Sequence, residues 1–200
     1  MTPPTGSSGL PWRMLTAWGD LRGSYRGLMA TAPSEGKLLF IAMASGLVLF
    51  LEWTGIARLT GDLATLAPDE MASQVAAQFT AALLFRTLML YAVAAGLCWV
   101  LCRFGGTGGW YATRGAVFWA FLVAAPVTLL CSILGAVIMQ RAPGSGGEVI
   151  ADAGNLVLAL VMAACLAEAH GIHSMWRVFL GLIVASVSVI ALTLLVWQMS

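Results

Sequence analysis

The chain has 200 residues, of which 60% are hydrophobic and 10% are charged, and its mean hydropathy is +0.90. A soluble domain carries about a quarter charged residues, so the composition excludes a water-soluble fold and leaves room for about five or six membrane-spanning helices. The net charge of +1 comes from scattered Lys and Arg residues that form no basic stripe, which excludes nucleic acid as a partner.

The first predicted element is an amphipathic helix over residues 10–30, after a polar, disordered N-terminus over residues 1–9. Its apolar side chains recur at alternating steps of four and three and share one helix face; they are Met14, Trp18, Leu21, Tyr25 and Leu28. Polar and basic residues lie beside or opposite that face, so we expect this helix to lie in the membrane interface. The alternative is an ordinary solvated leader. Glycines at 19, 23 and 27 weaken an isolated helix, which therefore needs the membrane or a partner.

The apolar segments that follow predict an all-α, polytopic membrane bundle of about five transmembrane helices over residues 35–200. The predicted spans are 38–57, 79–101, 115–139, 149–167 and 178–197. A mixed loop is predicted over residues 58–78, and Pro126 in the third span is tolerated as a kink. Because Asp152 and Asn155 interrupt the first half of the fourth span, that span is predicted to be short, tilted or partly re-entrant.

The positive charges outside the spans predict the orientation, because cytoplasmic flanks accumulate Lys and Arg. One side carries Arg13, Arg22, Arg26, Lys37, Arg103, Arg114 and Arg177. The other side carries only Arg58 and Arg141. We therefore expect a multi-pass protein of the cell membrane, a bacterial inner membrane, with a cytoplasmic N-terminus and, with five spans, an outer C-terminus.

Two charged residues fall inside predicted spans, where charges are costly and often mark a functional site. Glu52 lies near the outer end of the first span, and Arg86 lies about two turns below the start of the second. An ion pair between them in the outer half of the membrane is geometrically possible. The functional interpretation is a gate or a polar ligand site, and the structural one, which we favour, is a clamp between helices or snorkelling.

A Glu-x-His-x-x-His cluster, formed by Glu168, His170 and His173, contains residue types that zinc accepts. Its spacing matches no zinc signature, and Gly171 is expected to interrupt the helix, so an interfacial turn is the preferred interpretation and no metal is expected. A metal-dependent membrane enzyme is the corresponding alternative. The cysteines are expected to act as packing residues; they are Cys98, Cys102, Cys131 and Cys165.

The sequence contains no Gly-x-Ser-x-Gly motif, no phosphate-binding loop ending in Lys-Ser or Lys-Thr, and no His-Glu-x-x-His pair. We therefore expect no enzymatic activity and no cofactor. Small residues such as Ala92, Ala95 and Gly96 suggest close helix packing. The leading hypothesis is a scaffold or accessory subunit in the lipid bilayer, whose partner is another integral membrane protein or a second copy. The alternative is a small transporter or channel that uses Arg86 and Glu52.

A glycine-rich turn before the third span carries a family resemblance. The residues concerned are Gly105, Gly106, Gly108, Gly109, Trp110, Tyr111 and Arg114, followed by Pro126. This Gly-Gly-x-Gly-small-aromatic turn before a span with a central proline resembles the Yip (Ypt-interacting protein) domain family, and the short bacterial members look closest. The glycines permit positive backbone angles in a tight cytoplasmic connection, and Trp110 and Tyr111 are expected to anchor it at the interface.

The resemblance extends from Glu35 to the end of the chain and implies a five-helix membrane domain with a cytoplasmic N-terminus. Eukaryotic members of that family engage Rab-type GTPases in vesicle traffic. This chain lacks their long cytosolic N-terminal region and its Leu-Tyr-Gly-Pro motif. The resemblance therefore implies the fold here and no defined activity.

Overall fold

A computed structural model describes residues 9–142, 144 and 146–199, with the backbone alone at 189, 190, 192, 194 and 199. Every regular element in this part of the chain is helical, which confirms the all-α fold class. The helices are α1 (Leu10–Ala17), α2 (Leu21–Met29), α3 (Glu35–Thr60), α4 (Pro68–Thr80), α5 (Arg86–Arg103), α6 (Trp110–Arg141), α7 (Gly147–Ala169) and α8 (Met175–Met199). The predicted disordered stretch at residues 1–9 lies, apart from Gly9, outside the described residues.

Within the residues that the structure describes, four helical segments are long and apolar enough to cross a membrane, and they contain the first four predicted spans. They are Glu35–Thr60, Pro68–Arg103, Trp110–Arg141 and Gly147–Ala169. The fifth predicted span lies on α8, whose described apolar part covers Met175–Ser188. The fourth span is one uninterrupted helix of 23 residues despite Asp152 and Asn155, so neither a short nor a re-entrant segment is needed.

The predicted loop over residues 58–78 is wrong for most of its length. Gly61 ends α3 with a positive φ of 81°, a short 3-10 helix covers Asp62–Thr65, and α4 begins at Pro68. Proline in the first turn, with acidic side chains beside it, is a regular helix start. Through a π-helical turn at Ala81–Phe85, α4 continues into α5, so the second span begins eleven residues before position 79.

The predicted amphipathic segment at residues 10–30 forms two helices instead of one. The chain breaks at Gly19, and the Asp20 carboxylate caps α2 by accepting a hydrogen bond of 2.8 Å from the Gly23 amide. Tyr25 and Leu28 are buried because α2 packs against α6 and α7. The apolar face that we expected to contact lipid therefore packs partly against the bundle, through α2. An interfacial position of α1 stays a prediction.

The centre of the bundle is α6, which packs most extensively against α7 and also contacts α3 and α5, while α8 packs chiefly against α7. Phe118 and Trp119 of α6 are fully buried. The chain runs up and down, so the bundle has two ends. We call the α2 end the one that carries α2, residues 104–109 and residues 170–174, and the α4 end the one that carries the 3-10 helix, α4 and residues 142, 144 and 146.

Candidate functional site

A polar cavity of about 190 Å³ lies between α3, α5, α6 and α7, inside the membrane-spanning part of the bundle. Half of its lining residues are polar or charged: Ser45, Glu52, Arg86, Thr128, Ser132 and Asn155. All four helices contribute to this set. The cavity therefore brings together Glu52 and Arg86, the two charged residues that the sequence indicated. The other four polar side chains in its lining are uncharged.

Arg86 enters the cavity at an irregular point of the backbone. It directly follows the π-helical turn Ala81–Phe85, an irregularity that is frequent at functional sites. Its guanidinium carbon lies 4.9 Å from the ring centroid of Phe121, a cation-π contact across the cavity wall. The Nε atom is buried and has no hydrogen-bond partner among the described residues. Arg86 is therefore held by an aromatic ring, and its donors are not all used.

Glu52 and Arg86 line the same cavity, but they form no direct ion pair. The ion pairs of the described residues, defined by N–O distances up to 4.0 Å, are Arg26–Glu168 and Arg114–Glu35. A clamp between helices, which was the favoured interpretation of the two charges, requires such a contact. The two side chains are half-buried and face a common space. The structure thus lacks the direct contact that a Glu52–Arg86 clamp requires, and snorkelling and a polar ligand site remain the two interpretations.

Two hydroxyl groups in the cavity wall have oriented oxygen atoms. Ser45 donates to the Ala42 carbonyl at 2.7 Å, and Thr128 donates to the Ala125 carbonyl at 3.0 Å. A hydroxyl that donates its single hydrogen to the backbone can still accept hydrogen bonds through its oxygen. Pro126, between Ala125 and Thr128, has no amide hydrogen to donate to the preceding turn. The hydroxyl oxygens of Ser45 and Thr128 are therefore acceptors in the cavity lining.

The glycine-rich turn lies at the α2 end, and its glycines serve different purposes. Only Gly105 has a positive φ, of 88°. A Cβ on Gly106 would lie 2.6 Å from His170 Nδ1, and one on Gly108 would lie 2.4 Å from the Ala169 carbonyl oxygen. Gly109 has φ of −85° and open space beside it. The sequence indicated that these glycines permit positive angles; Gly105 has one, whereas Gly106 and Gly108 instead allow close packing against residues 169–170.

His170 is a structural residue of this turn. It is 1% exposed, its Nε2 lies 2.9 Å from the Thr113 hydroxyl, and its carbonyl accepts the Thr107 amide at 3.2 Å. The Thr113 hydroxyl donates to the Gly109 carbonyl at 3.0 Å and so accepts from Nε2–H. His170 Nδ1 is then unprotonated, buried and without a partner. Burial lowers the pKa of His170 below its usual 6.5, because an added proton on Nδ1 meets no acceptor.

The three candidate zinc ligands have different surroundings. Glu168 pairs with Arg26 at 2.7 Å, His170 contacts Thr113, and His173 is exposed. Within residues 9–142, 144 and 146–199 no group of three or more His, Cys, Asp or Glu side chains could hold a metal ion. Gly171, with φ of 66°, does follow the end of α7, as its position in the sequence indicated. The four cysteines are free thiols, of which Cys165 is buried and Cys102 exposed.

Arg114 and Glu35 join the beginnings of α6 and α3 at the α2 end. The guanidinium makes two hydrogen bonds to the carboxylate, of 2.8 and 2.6 Å, in the bidentate geometry that is strongest for this pair. The same guanidinium lies over the rings of Tyr91, Trp110 and Tyr111 at 5.7, 5.2 and 6.0 Å. Trp110 and Tyr111 belong to the first turn of α6, and both rings contact the Arg114 guanidinium. Their role as anchors at the membrane interface stays a prediction.

Helix α2 is fastened across the same end by polar contacts. Tyr25 donates to the Ala112 carbonyl at 2.8 Å, and Trp119 Nε1 donates to the Ser24 hydroxyl at 3.2 Å. Arg22 donates to the carbonyls of Ile172 and His173 at 3.1 and 3.2 Å. Burial raises the pKa of Tyr25 well above its ordinary value of 10, so this hydroxyl remains a hydrogen-bond donor throughout the physiological range. The α2 end is therefore closed by the chain's own side chains.

Sequence reasoning identified Glu52 and Arg86 but missed the rest of the cavity. Ser45, Thr128 and Ser132 are common small residues in transmembrane helices, and nothing in their spacing distinguishes a cavity wall from an ordinary helix contact. Asn155 is a polar residue within the fourth predicted span, and that position is the feature of the sequence that could have indicated its place in the cavity wall. Asp152 is exposed and is not part of the cavity wall.

Comparison of the chain with protein-family models, with curated proteins and with solved structures gives no match.

Proposed function

We propose that the protein is a small transporter or channel of a bacterial inner membrane, with a cytoplasmic N-terminus, that binds a small polar solute or ion in the polar cavity. One observation carries the proposal: Glu52 and Arg86 line a common cavity among membrane-spanning helices without forming an ion pair. Ionisable residues in a hydrocarbon layer are costly, and they commonly mark a substrate or ion pathway. The Glu52 carboxylate is near enough to attract the Arg86 guanidinium but makes no direct ion pair with it, and a ligand that bridges the two charges explains this arrangement.

The size of the cavity limits the ligand. A volume of about 190 Å³ corresponds to roughly six water molecules at the density of the liquid. The wall offers the Glu52 carboxylate and the hydroxyl oxygens of Ser45 and Thr128 as acceptors, with Arg86 as the donor. This combination suits an inorganic ion with part of its hydration shell, or a solute of a few heavy atoms that both donates and accepts hydrogen bonds.

The proposed orientation is supported by the distribution of basic residues over the two ends. The α2 end carries Arg22, Arg26 and Arg114, whereas the α4 end carries Arg58 and Arg141. Cytoplasmic flanks accumulate positive charge, so the α2 end is the cytoplasmic one in this proposal. In this proposal the lining residues Ala151 and Asn155 lie in the outer half of α7, and the polar contacts of α2 lie at the cytoplasmic end.

Reconstituted vesicles test the proposal directly. Purified protein is incorporated into liposomes, and the fluxes of H⁺, Na⁺, K⁺ and Cl⁻ are followed with ion-sensitive dyes, while stopped-flow light scattering follows small neutral solutes. We expect flux of at least one species in the wild type and a reduction of about tenfold or more in both Arg86→Gln and Glu52→Gln. Arg141→Gln, which changes an arginine outside the cavity, is the matched control. Absence of flux, or flux that neither cavity variant changes, contradicts the proposal.

A second candidate function, the scaffold or accessory subunit, is favoured by a different surface. Ala92, Ala95 and Gly96 of α5 are exposed, and a Cβ on Gly96 would meet nothing within 4 Å. Within the described residues, the open space beside Gly96 and the exposure of Ala92 and Ala95 leave this face of α5 uncovered, although the sequence suggested close packing. Ala92 and Gly96 are four residues apart, the spacing at which small residues allow two membrane helices to approach. The partner in this proposal is another integral membrane protein or a second copy, and no enzymatic activity or cofactor is involved.

Affinity purification after mild detergent extraction tests the second function. The wild type should recover one partner, or a second copy, at fixed stoichiometry, and Gly96→Leu should reduce that recovery at least fivefold. Gly181→Leu on α8, where a Cβ also meets nothing within 4 Å, is the matched control for the added volume. Recovery of the monomer alone contradicts a scaffold, and flux without a partner supports the transporter.

Membership of the Yip domain family is part of the proposal as well, and it is supported by the glycine-rich turn and by the helix pattern. In that turn Gly106 and Gly108 allow contact with residues 169–170, and Arg114 pairs with Glu35. Those contacts supply a physical reason for glycine and arginine at these positions. They concern the fold of the domain and leave the choice between the two functions to the experiments above.

A further inference from the structure

An apolar groove of about 750 Å³ lies at the α4 end, separate from the polar cavity. It runs between the last turns of α3, the 3-10 helix Asp62–Thr65 and α4. Phe50 of α3 and Phe79 of α4 close its inner end, with ring centroids 5.3 Å apart in an edge-to-face contact. The volume is in the range of about 300–1,000 Å³ that is typical of small-molecule sites. None of its lining residues also lines the polar cavity.

One side of the groove is the apolar face of α4. Met71, Val75 and Phe79 recur at every fourth residue and so share that face. Met71 is 39% exposed and Phe79 is 43% exposed, and α4 has no buried residue. Within the described chain, this face is therefore left open.

The depth of the groove matches that of a lipid chain beside its headgroup. Helix α3 has 26 residues and is about 39 Å long, whereas the hydrocarbon layer is about 30 Å thick. Arg58 lies in the last turn of α3, at the level where the helix leaves the hydrocarbon layer. Phe50 lies eight residues earlier, about 12 Å deeper. Because the groove follows α3, a molecule in it lies along the direction of an acyl chain.

The charges at the outer end are those that a phospholipid headgroup needs. Arg58 is exposed, lines the groove and takes part in neither of the ion pairs of the described residues. Guanidinium groups bind phosphate well. Asp62, Asp69 and Glu70 lie in the neighbouring first turns, where carboxylates attract a cation. Arg58 in the lining, with acidic residues next in sequence to the lining residues Leu63 and Met71, is complementary to a headgroup that carries both a phosphate and an ammonium group, and less so to a purely anionic one.

We propose that this groove binds one phospholipid with a primary ammonium headgroup, with an acyl chain between α3 and α4 and its phosphate on Arg58. The bound lipid covers the apolar face of α4 and completes the packing at this end of the bundle. Such a site lies at one membrane surface whichever way the chain is oriented. It is also independent of transport, because it uses no residue of the polar cavity.

Native mass spectrometry of the protein released from nanodiscs tests this site. The nanodiscs contain equal amounts of phosphatidylethanolamine and phosphatidylglycerol. We expect the wild type to retain one phosphatidylethanolamine, and both Arg58→Gln and Ala76→Trp, which fills the groove, to retain at least fivefold less. Arg141→Gln, another arginine at the α4 end, and Glu52→Gln in the polar cavity should retain as much as the wild type. Equal retention by all variants, or a preference for phosphatidylglycerol, overturns the proposal.

Photocrosslinking in native membranes distinguishes a lipid from a protein in the groove. A benzoylphenylalanine introduced at Ala72, which lines the groove, should form a lipid adduct that mass spectrometry identifies. The same group at Gln74, an exposed residue of α4 that is not part of the lining, is the control. A lipid adduct at Ala72 alone supports the proposal. A protein adduct at Ala72 overturns it and identifies the groove as a protein interface.

Discussion

Two arginines of this bundle, Arg114 and Arg86, both lie over aromatic rings and both have a buried Nε without a hydrogen-bond partner among the described residues, but they differ in their ion pairs. The Arg114 guanidinium makes a bidentate contact with Glu35 and lies over three rings. The Arg86 guanidinium lies over Phe121, next to a π-helical turn, and faces a cavity. A bidentate ion pair holds Arg114 in the fold, whereas Arg86 makes no direct ion pair in the membrane-spanning region, where charges are costly and often mark a functional site.

The same difference separates the two ends of the molecule. At the α2 end, glycines permit close approach, a buried histidine bonds to a threonine, and α2 is fastened by tyrosine, arginine and tryptophan side chains. Towards the α4 end lie the polar cavity and the open apolar groove. Substitutions at the α2 end should therefore reduce stability, and substitutions in the cavity should change function with little loss of stability.

The largest loss of stability is expected from Gly108→Ala. The added Cβ would lie 2.4 Å from the Ala169 carbonyl oxygen, a backbone atom that cannot move alone. Overpacking of this kind costs about 1–3 kcal/mol, and the backbone contact places the expected loss near 3 kcal/mol. Thermal unfolding in detergent, followed by circular dichroism, measures it.

Gly109→Ala is the matched control for this substitution. It adds the same methyl group one residue later, where φ is −85° and nothing lies within 4 Å. We expect a change of less than about 1 kcal/mol, because the weaker helix cap and the smaller entropy of the unfolded chain oppose each other. Equal losses in the two variants would show that the turn does not pack closely against residues 169–170.

Arg114→Met should have the next largest effect. The substitution keeps an apolar chain of similar length but removes two charge-assisted hydrogen bonds and the contacts with the rings. Hydrogen bonds to charged groups contribute about 1.5–3 kcal/mol, and the 61% exposure of the Glu35 side chain reduces the expected loss to about 2 kcal/mol. A double-mutant cycle with Glu35→Gln isolates the pair. A coupling free energy near zero would mean that Arg114 acts through packing alone.

A smaller effect is expected from the protonation of His170. Burial lowers its pKa in the folded protein, so the unfolded chain takes up the proton first as the pH falls. The stability is therefore complete above the unfolded pKa of about 6.5 and decreases below it, with a limiting slope of about 1.4 kcal/mol per pH unit. His170→Gln should lack this slope between pH 7 and pH 5. The variant of the exposed His173, His173→Gln, should retain it, and a wild type without any slope would contradict the assignment.

The sequence was sufficient for the class of the fold because long apolar segments with few charges determine membrane helices almost by themselves. It was not sufficient for α4, whose mixed polar composition predicted a loop. It was also not sufficient for residues 10–30, where one helix was predicted and the chain forms two, separated at Gly19 and Asp20. The pattern of Tyr25 and Leu28 correctly indicated a buried face. It could not indicate that protein, instead of lipid, covers that face.

The sites show a similar limit. A charge inside a span is visible in a single sequence, so Glu52 and Arg86 could be found. Whether the two side chains touch depends on the rotation of two helices about their axes, which periodicity does not determine. The roles of Gly106 and Gly108 depend on residues about sixty positions later. Such contacts become visible only in the folded bundle.

The smallest effect on stability is expected from Arg86→Met, although it removes a charge from the membrane-spanning region. Methionine can keep the contact with Phe121, and it removes a guanidinium whose Nε is buried without a partner. Breaking a direct buried ion pair costs about 3–5 kcal/mol, but Glu52 attracts Arg86 without such a contact, so we expect a smaller change, within about 1 kcal/mol.

The measurement is the same thermal unfolding in detergent, with Arg114→Met beside it. A loss of about 2 kcal/mol or more in Arg86→Met would mean that Arg86 is a structural clamp like Arg114, because clamps are costly to break. A stable Arg86→Met protein that has lost its flux in vesicles would instead assign Arg86 to the solute. The two arginines then differ as their contacts indicate: one charge is neutralised by the chain, and the other awaits a ligand.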